Sequence, residues 1–183
     1  MIKLNHLRMK PVTGLVVTTL IIAAAFSFRT APKEKVNWIS MQQLNEMYAK
    51  QPRPVLIDIY TDWCGWCKEM DRTTYQHGKL ASYINEHYYA VKFNAETRET
   101  ISFNNKIFTY NPQYRTNELA LYLTGGRLSY PTTVFMSGPD GQPAPLPGYM
   151  KPKQMEGPLK FFGGKANEKE SFIAFNKKLH TEW

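Results

Sequence analysis

The chain has 183 residues, a formal net charge of +8 and a hydrophobic share of 43%, which suits one globular domain with a tail. The positive charge is spread along the chain, with no basic stripe interleaved with aromatics, which sets nucleic acid aside as a partner. Two cysteines in all cannot make both a disulfide framework and a reactive dithiol, so the core must hold itself together without staples.

Residues 1–28 read as an export segment. Lys3, Arg8 and Lys10 precede an uncharged, mostly apolar run from Val12 to Phe28. Ala23-Ala24-Ala25 and Ala25-Phe26-Ser27 each offer a small–x–small cleavage pattern. The run is long for a signal peptide core and short of the roughly 20 residues of a spanning helix. Both a cleaved signal peptide and a retained N-terminal membrane anchor fit it. No cysteine lies near residue 28, so a lipid-modified cysteine is excluded.

Arg29 to Val36 is polar, contains Pro32 and reads as a linker over residues 29–37, ahead of a domain spanning residues 38–183. Ser40 with Gln43 makes a capping box, and Met41, Leu44, Met47 and Tyr48 recur at helical spacing until Pro52 and Pro54 stop the helix. Val55-Leu56-Ile57-Asp58-Ile59-Tyr60 reads as a fully buried strand, and Lys68 to Arg72 as a helix. Leu80, Tyr83, Ile84 and His87 mark a second amphipathic helix, followed by a strand from Tyr88 to Asn94.

Thr100–Phe103 and Lys106–Tyr110 are expected to pair as a hairpin around Asn104-Asn105, with Ile101, Phe103, Phe108 and Tyr110 on one face. Thr116 or Asn117 caps a short helix through Leu119, Ala120 and Leu123, which Gly125-Gly126 ends. A strand follows from Tyr130-Pro131, and Pro139-Asp140-Gly141 is a turn before the last strand. Pro152 opens a helix that Gly157-Pro158 is expected to interrupt or end. Asn167 with Glu170 resembles a cap, and Phe172, Phe175 and Leu179 recur on one face. A docked helix is therefore expected to close the chain within residues 165–183.

The chemistry is concentrated in Asp62-Trp63-Cys64-Gly65-Trp66-Cys67-Lys68, which holds both cysteines. Cys64 falls where the strand ends and the helix begins, where free N–H groups and the helix dipole favour an anion. A thiol so placed has its pKa lowered from about 8.5 into a range of roughly 3.5–7.5. Cys64 is then the nucleophile, and Cys67, one turn on, resolves. Zinc wants four ligands, while His6, His77, His87 and His180 are scattered. A covalent c-type haem needs histidine directly after Cys67, where Lys68 stands. No metal and no bound cofactor is expected, and the redox group is the Cys64–Cys67 pair.

The order of a strand, CxxC and helix, then a strand with Val91-Lys92-Phe93-Asn94, then Tyr130-Pro131-Thr132-Thr133-Val134-Phe135, resembles the thioredoxin superfamily over roughly residues 38–163. The resemblance implies an α/β fold, a central mixed sheet flanked by helices. It also implies a buried acid at Asp58, six residues before Cys64, a lysine at Lys92 that approaches it, and a cis peptide before Pro131. Gly148, shortly before a helix, fits as well. Gly65-Trp66 departs from the Gly-Pro of thioredoxin itself, and the stretch 97–129 is an insertion before the proline strand.

On this reading Asp58 has a raised pKa and trades a proton with Cys67 through water; the plain alternative is a strand aspartate paired with Lys92 for structure. Lys92 either joins the site or faces solvent. Tyr130 and Pro131 lie beside Cys64, with the Tyr130 backbone open to an extended substrate segment. Trp63, Gly65 and Trp66 flank the cysteines as contact surface, although Trp63 serves equally well as packing.

The expected function is thiol–disulfide exchange with partner proteins outside the cytoplasm, as a reductant fed by a membrane thiol donor. An oxidase or isomerase using the same site is the first alternative. A binding or chaperone module that works through its insertion is the second.

Overall fold

The computed structural model describes residues 34–183, so the export segment lies outside the described residues. Nine short strands and six helices are found among them. Five strands form the central sheet in the order β1-β3-β2-β8-β9: β1 Trp38–Ile39, β2 Val55–Tyr60, β3 Tyr89–Asn94, β8 Thr132–Met136 and β9 Ala144–Pro147. β2 lies parallel to β3 and antiparallel to β8, so the sheet is mixed. This is the expected α/β architecture.

β2 is apolar on both faces because both faces are covered. Val55, Ile57 and Ile59 enter one core cluster with α1 (Met41–Lys50). Leu56 enters the other, with residues of α2 (Gly65–Thr73), α3 (Gly78–His87) and α5 (Pro152–Gly163). Side chains alternate along a strand, so Asp58 shares the face of Leu56 and lies beneath α2. α1 starts on the expected box, with Ser40 accepting from the Gln43 N–H and Gln43 accepting from the Ser40 N–H. Met47, counted on its apolar stripe, is 39% exposed.

Residues 34–37 are not a free linker. Asn85 of α3 accepts from the Asn37 N–H at 2.8 Å and donates to the Lys35 carbonyl at 2.9 Å, and Val36 is buried.

The stretch 97–129 folds onto the α1 side of the sheet. β4 (Ile101–Phe103) and β5 (Lys106–Phe108) pair around Asn104 and Asn105, both at positive φ, as the Asn-Asn turn requires. Ile101 faces Phe108 across the hairpin. Phe103 is fully buried and Phe108 nearly so. Tyr110 leaves this hairpin for another that the sequence did not announce, in which β6 (Tyr110–Asn111) pairs with β7 (Thr116–Asn117). Asn117 settles the cap of α4 (Glu118–Thr124). Its side chain accepts from Leu119 N–H at 3.0 Å and donates to the carbonyls of Glu99 and Thr97. Gly125, at φ +60°, ends the helix.

The C-terminal part corrects the sequence reading in two places. α5 runs unbroken through Gly157-Pro158. The carbonyl that Pro158 leaves without a helical partner belongs to exposed Gln154, while Met155, Leu159 and Phe161 are buried. Burial therefore outweighs one lost hydrogen bond. Gly157 is where α6 (Phe172–Lys178) approaches, since a Cβ there would meet Asn176 at 3.0 Å. The cap of α6 is Ser171, which accepts from the Ala174 N–H at 3.3 Å, and not Asn167 with Glu170. Asn167 sits instead in a single 3₁₀ turn. Phe172 and Phe175 still pack on Phe161, with ring centroids 5.3 and 5.4 Å away.

Buried Glu156 accepts from Lys160 Nζ at 2.8 Å and from the N–H groups of Glu182 and Trp183, pinning the last residues to α5. Burial pushes its carboxyl up, but these donors outweigh it and hold the pKa below the usual value.

Candidate functional site

β2 ends at Tyr60 and α2 begins at Gly65, so the CxxC motif straddles the junction, with Cys64 as the N-cap. The Cys64 sulfur accepts from the Cys67 N–H at 3.1 Å, a cap contact that in most helices an oxygen would make. The two cysteines are joined by a disulfide and both are largely buried. Gly65 and Trp66 in between are exposed.

Behind the pair, Asp58 is 1% exposed and meets Lys92 at the same register of β2 and β3. Lys92 turns inward rather than to solvent. Its ammonium bonds to the carboxylates of Asp58 and Asp71 and lies 5.0–5.6 Å from the ring centres of Tyr60, Trp38 and Tyr75. Burial pushes the Asp58 carboxyl up and Lys92 pulls it part of the way back, leaving a pKa of about 6. Burial pulls the Lys92 ammonium down, but the two carboxylates outweigh that and raise it. Asp58 Oδ2 takes the lysine, while Oδ1 is buried with no protein partner. An aspartate in this state can hold a proton below about pH 6 and accept one above it.

The Tyr130–Pro131 peptide is cis. The Pro131 carbonyl accepts from the Gly148 N–H at 2.8 Å, while neither backbone group of Tyr130 is hydrogen-bonded among the described residues. Trp63 is 67% exposed; its ring meets Tyr130 edge-on at 5.9 Å and its indole N–H donates to Glu96 at 2.9 Å. Trp66 is 63% exposed and lies 5.3 Å from the Tyr149 ring.

The structure thus joins Asp58 and Lys92 to Asp71 of α2, the helix whose first turn carries Cys64 and Cys67. Of the other expected site residues, Trp63, Gly65 and Trp66 are exposed, Tyr130 is half-buried and Pro131 is buried. Sequence reasoning missed Asp71 and Tyr149. Asp71 stands four residues after Cys67, one helical turn on and on the same face, which was a usable signal. Tyr149 follows Gly148 in a loop that no periodicity marks.

Residues 41–163 match the family model described as a thioredoxin-like domain. A 46-residue stretch, 25% of the chain, is 35% identical to the thiol:disulfide interchange protein DsbD of Pectobacterium atrosepticum and spans 8% of that protein. Among solved structures, a thioredoxin-fold protein from Helicobacter pylori superimposes with a TM-score of 0.53 at 24% identity, over 69% of this chain and 80% of that one. A putative disulphide-isomerase from Bacteroides thetaiotaomicron superimposes with a TM-score of 0.52 at 21% identity, over 77% of this chain and all of that one. The chain belongs to the thioredoxin-like family, and it carries an oxidised Cys64–Cys67 pair at the head of α2.

Proposed function

We propose that the protein reduces disulfides in partner proteins outside the cytoplasm, and that a membrane dithiol donor of lower potential re-reduces it. The observation that carries this reading is the placement of Cys64 at the N-terminus of α2 with Cys67 one turn on, over a strand whose buried carboxylate, Asp58, is tied through Lys92 to Asp71 of the same helix. The Cys64 thiolate attacks one sulfur of the partner disulfide. A Cys64–partner bond forms, and the first partner sulfur leaves as a thiolate. Cys67 then gives its proton to Asp58, attacks Cys64 Sγ, and releases the second partner thiolate as the Cys64–Cys67 bond closes. Two electrons pass to the partner, and the proton on Asp58 goes to solvent.

The base is compatible with this direction. Deprotonating Cys67 is needed when the dithiol closes into a disulfide, which is the reductant's half-reaction. With a pKa of about 6, Asp58 is ionised and ready for that step at neutral pH. Lys92 holds the carboxylate in place, and the open Tyr130 backbone gives an extended partner segment a strand to pair with. Export rests on the cationic and apolar character of residues 1–28, with a membrane tether as its retained form. Among the described residues, no helix is long and apolar enough to cross a membrane.

The test is the equilibrium potential of the Cys64–Cys67 pair against glutathione. A reductant's value, near thioredoxin's of about −270 mV, is expected; one close to about −120 mV assigns the site to an oxidase instead.

A further inference from the structure

Trp66 stands between two depressions on the surface around the cysteines. One, of about 300 Å³, is lined by Trp66, Tyr130, Pro131, Gly148 and Tyr149. The other, of about 670 Å³ and mostly apolar, is lined by Gly65, Trp66, Glu69, Tyr149 and Lys151. Trp66 and Tyr149 are shared, so the two depressions adjoin, and the second reaches Gly65 and Trp66 between the cysteines.

Its walls are held in place. The Thr73 hydroxyl donates its one proton to the Glu69 carbonyl at 2.7 Å, so the contact at 3.1 Å between Thr73 Oγ1 and Tyr149 Oη has the tyrosine as donor. The neighbouring Thr74 hydroxyl donates to the Met150 carbonyl at 2.5 Å. Two consecutive threonines at the end of α2 thus tie down the loop that carries Tyr149, while the ring leans on Trp66. Gly65 keeps the entrance bare, since a Cβ there would meet nothing within 4 Å. On the rim, Glu69 is neutralised by Arg72 at 2.8 Å, whereas Lys151 is in no ion pair among the described residues. The pocket is therefore a rigid apolar shelf with a free ammonium at its edge.

The geometry points to this shelf as a specificity pocket for the partner segment, taking one bulky apolar or aromatic side chain two residues from the reactive cysteine, with a carboxylate beside it facing Lys151. The inference rests on the proposed disulfide exchange with proteins. The spacing follows from strand geometry. A partner segment paired with the Tyr130 backbone is extended, so residues two apart share a face and lie about 7 Å apart. If the partner cysteine points down at Cys64, the side chain two positions away also points down, onto Trp66 and Tyr149. The preformed walls spare the ordering cost that a loose loop would impose on binding.

The experiment uses the reduced protein and six substrates. Four are cysteine peptides linked by a disulfide to glutathione, with Phe or Gly two residues before or after the cysteine. The fifth is the better Phe peptide with an Asp next to the Phe, and the sixth is hydroxyethyl disulfide. On one side of the cysteine, the Phe peptide is expected to have about tenfold higher kcat/KM than its Gly counterpart, carried by KM. In Tyr149→Ala that ratio should fall to within about twofold. An Asp next to the Phe should improve the substrate further, and Lys151→Glu, a surface change that leaves the shelf intact, should turn that gain into a loss. Equal rates for Phe and Gly peptides, a preference that survives Tyr149→Ala, or an Asp effect indifferent to Lys151→Glu would overturn the pocket. Failure to reduce hydroxyethyl disulfide as well would overturn the exchange reaction itself.

Discussion

Asp58 and Lys92 are register partners on adjacent parallel strands, and the lysine ammonium binds the one carboxylate that β2 buries. Asp58 is nonetheless held up at about 6 against an ordinary value of 3.8, chiefly by burial. The folded state therefore favours its protonated form. That contribution to stability is complete below about pH 4 and is lost as the pH rises through about 6. In Asp58→Asn no such loss occurs, and Lys92 keeps Asp71 as a partner. The unfolding free energy of the variant minus that of the wild type should rise between pH 4 and 7 by on the order of 2 kcal/mol. Urea denaturation of both oxidised proteins across that range checks it; a flat difference assigns Asp58 an ordinary pKa.

The same substitution separates the two chemical steps. Attack by Cys64 on a peptide disulfide should change little, because the Cys64 sulfur sits at the start of α2 against the Cys67 N–H and this step takes no proton from Cys67. Resolution by Cys67 should slow by about tenfold or more near neutral pH, as expected for a lost general base. Stopped-flow traces from pH 6 to 9 resolve both phases. An unchanged second phase leaves Asp58 a structural residue.

Removing the resolving thiol should halt the reaction midway. Cys67→Ala should accumulate mixed disulfides with partner proteins on Cys64, while Cys64→Ala accumulates none. Non-reducing electrophoresis reads the difference. Equal trapping in both variants reverses the assignment of nucleophile and resolver.

Asn117 ties three pieces of the insertion together: the first turn of α4 and the carbonyls of Thr97 and Glu99. It is fully buried, so Asn117→Ala leaves those groups without a partner. The expected cost is about 2–3 kcal/mol, from the lost cap and the unsatisfied carbonyls. Proteolytic cleavage within residues 97–129 should speed up in parallel. A loss below about 0.5 kcal/mol would show that packing of Phe103 and Leu119 alone holds the segment.

A reporter fused after Arg29 should be found outside the cytoplasm, since residues 1–28 carry the cationic start and apolar run of an export segment. Recovery of the reporter in the cytosol removes export from the proposal.

What the sequence made legible shows where local signals are sufficient. Asp58 stood out as the one charge in an apolar run, and its register with Lys92 follows once the two strands are placed side by side. The Asn-Asn turn and the Ser40 box are local chemistry and fell where they were expected. The misses depend on contacts far along the chain. Pro158 sits inside α5 because Met155 and Leu159 bury themselves on either side of it, and no local rule carries that information. The β6–β7 pair consists of two-residue strands whose N–H at Asn117 is satisfied by Ala95, in the turn that follows β3 more than 20 positions earlier. Tyr149 became part of the site only through Thr73, 76 positions earlier in the chain.

The donor to the Cys64 sulfur is a main-chain group, and it belongs to the residue that later breaks the bond to the partner. The amide survives any replacement of the Cys67 side chain except proline, which has no N–H to give. Position 67 therefore carries two separable duties, one in its backbone and one in its thiol. A variant that keeps the first and loses the second leaves the main-chain bond to the Cys64 sulfur in place. The partners it captures are then held by a sulfur that keeps its main-chain donor, and the relative yields in such a capture report which partners reach Cys64.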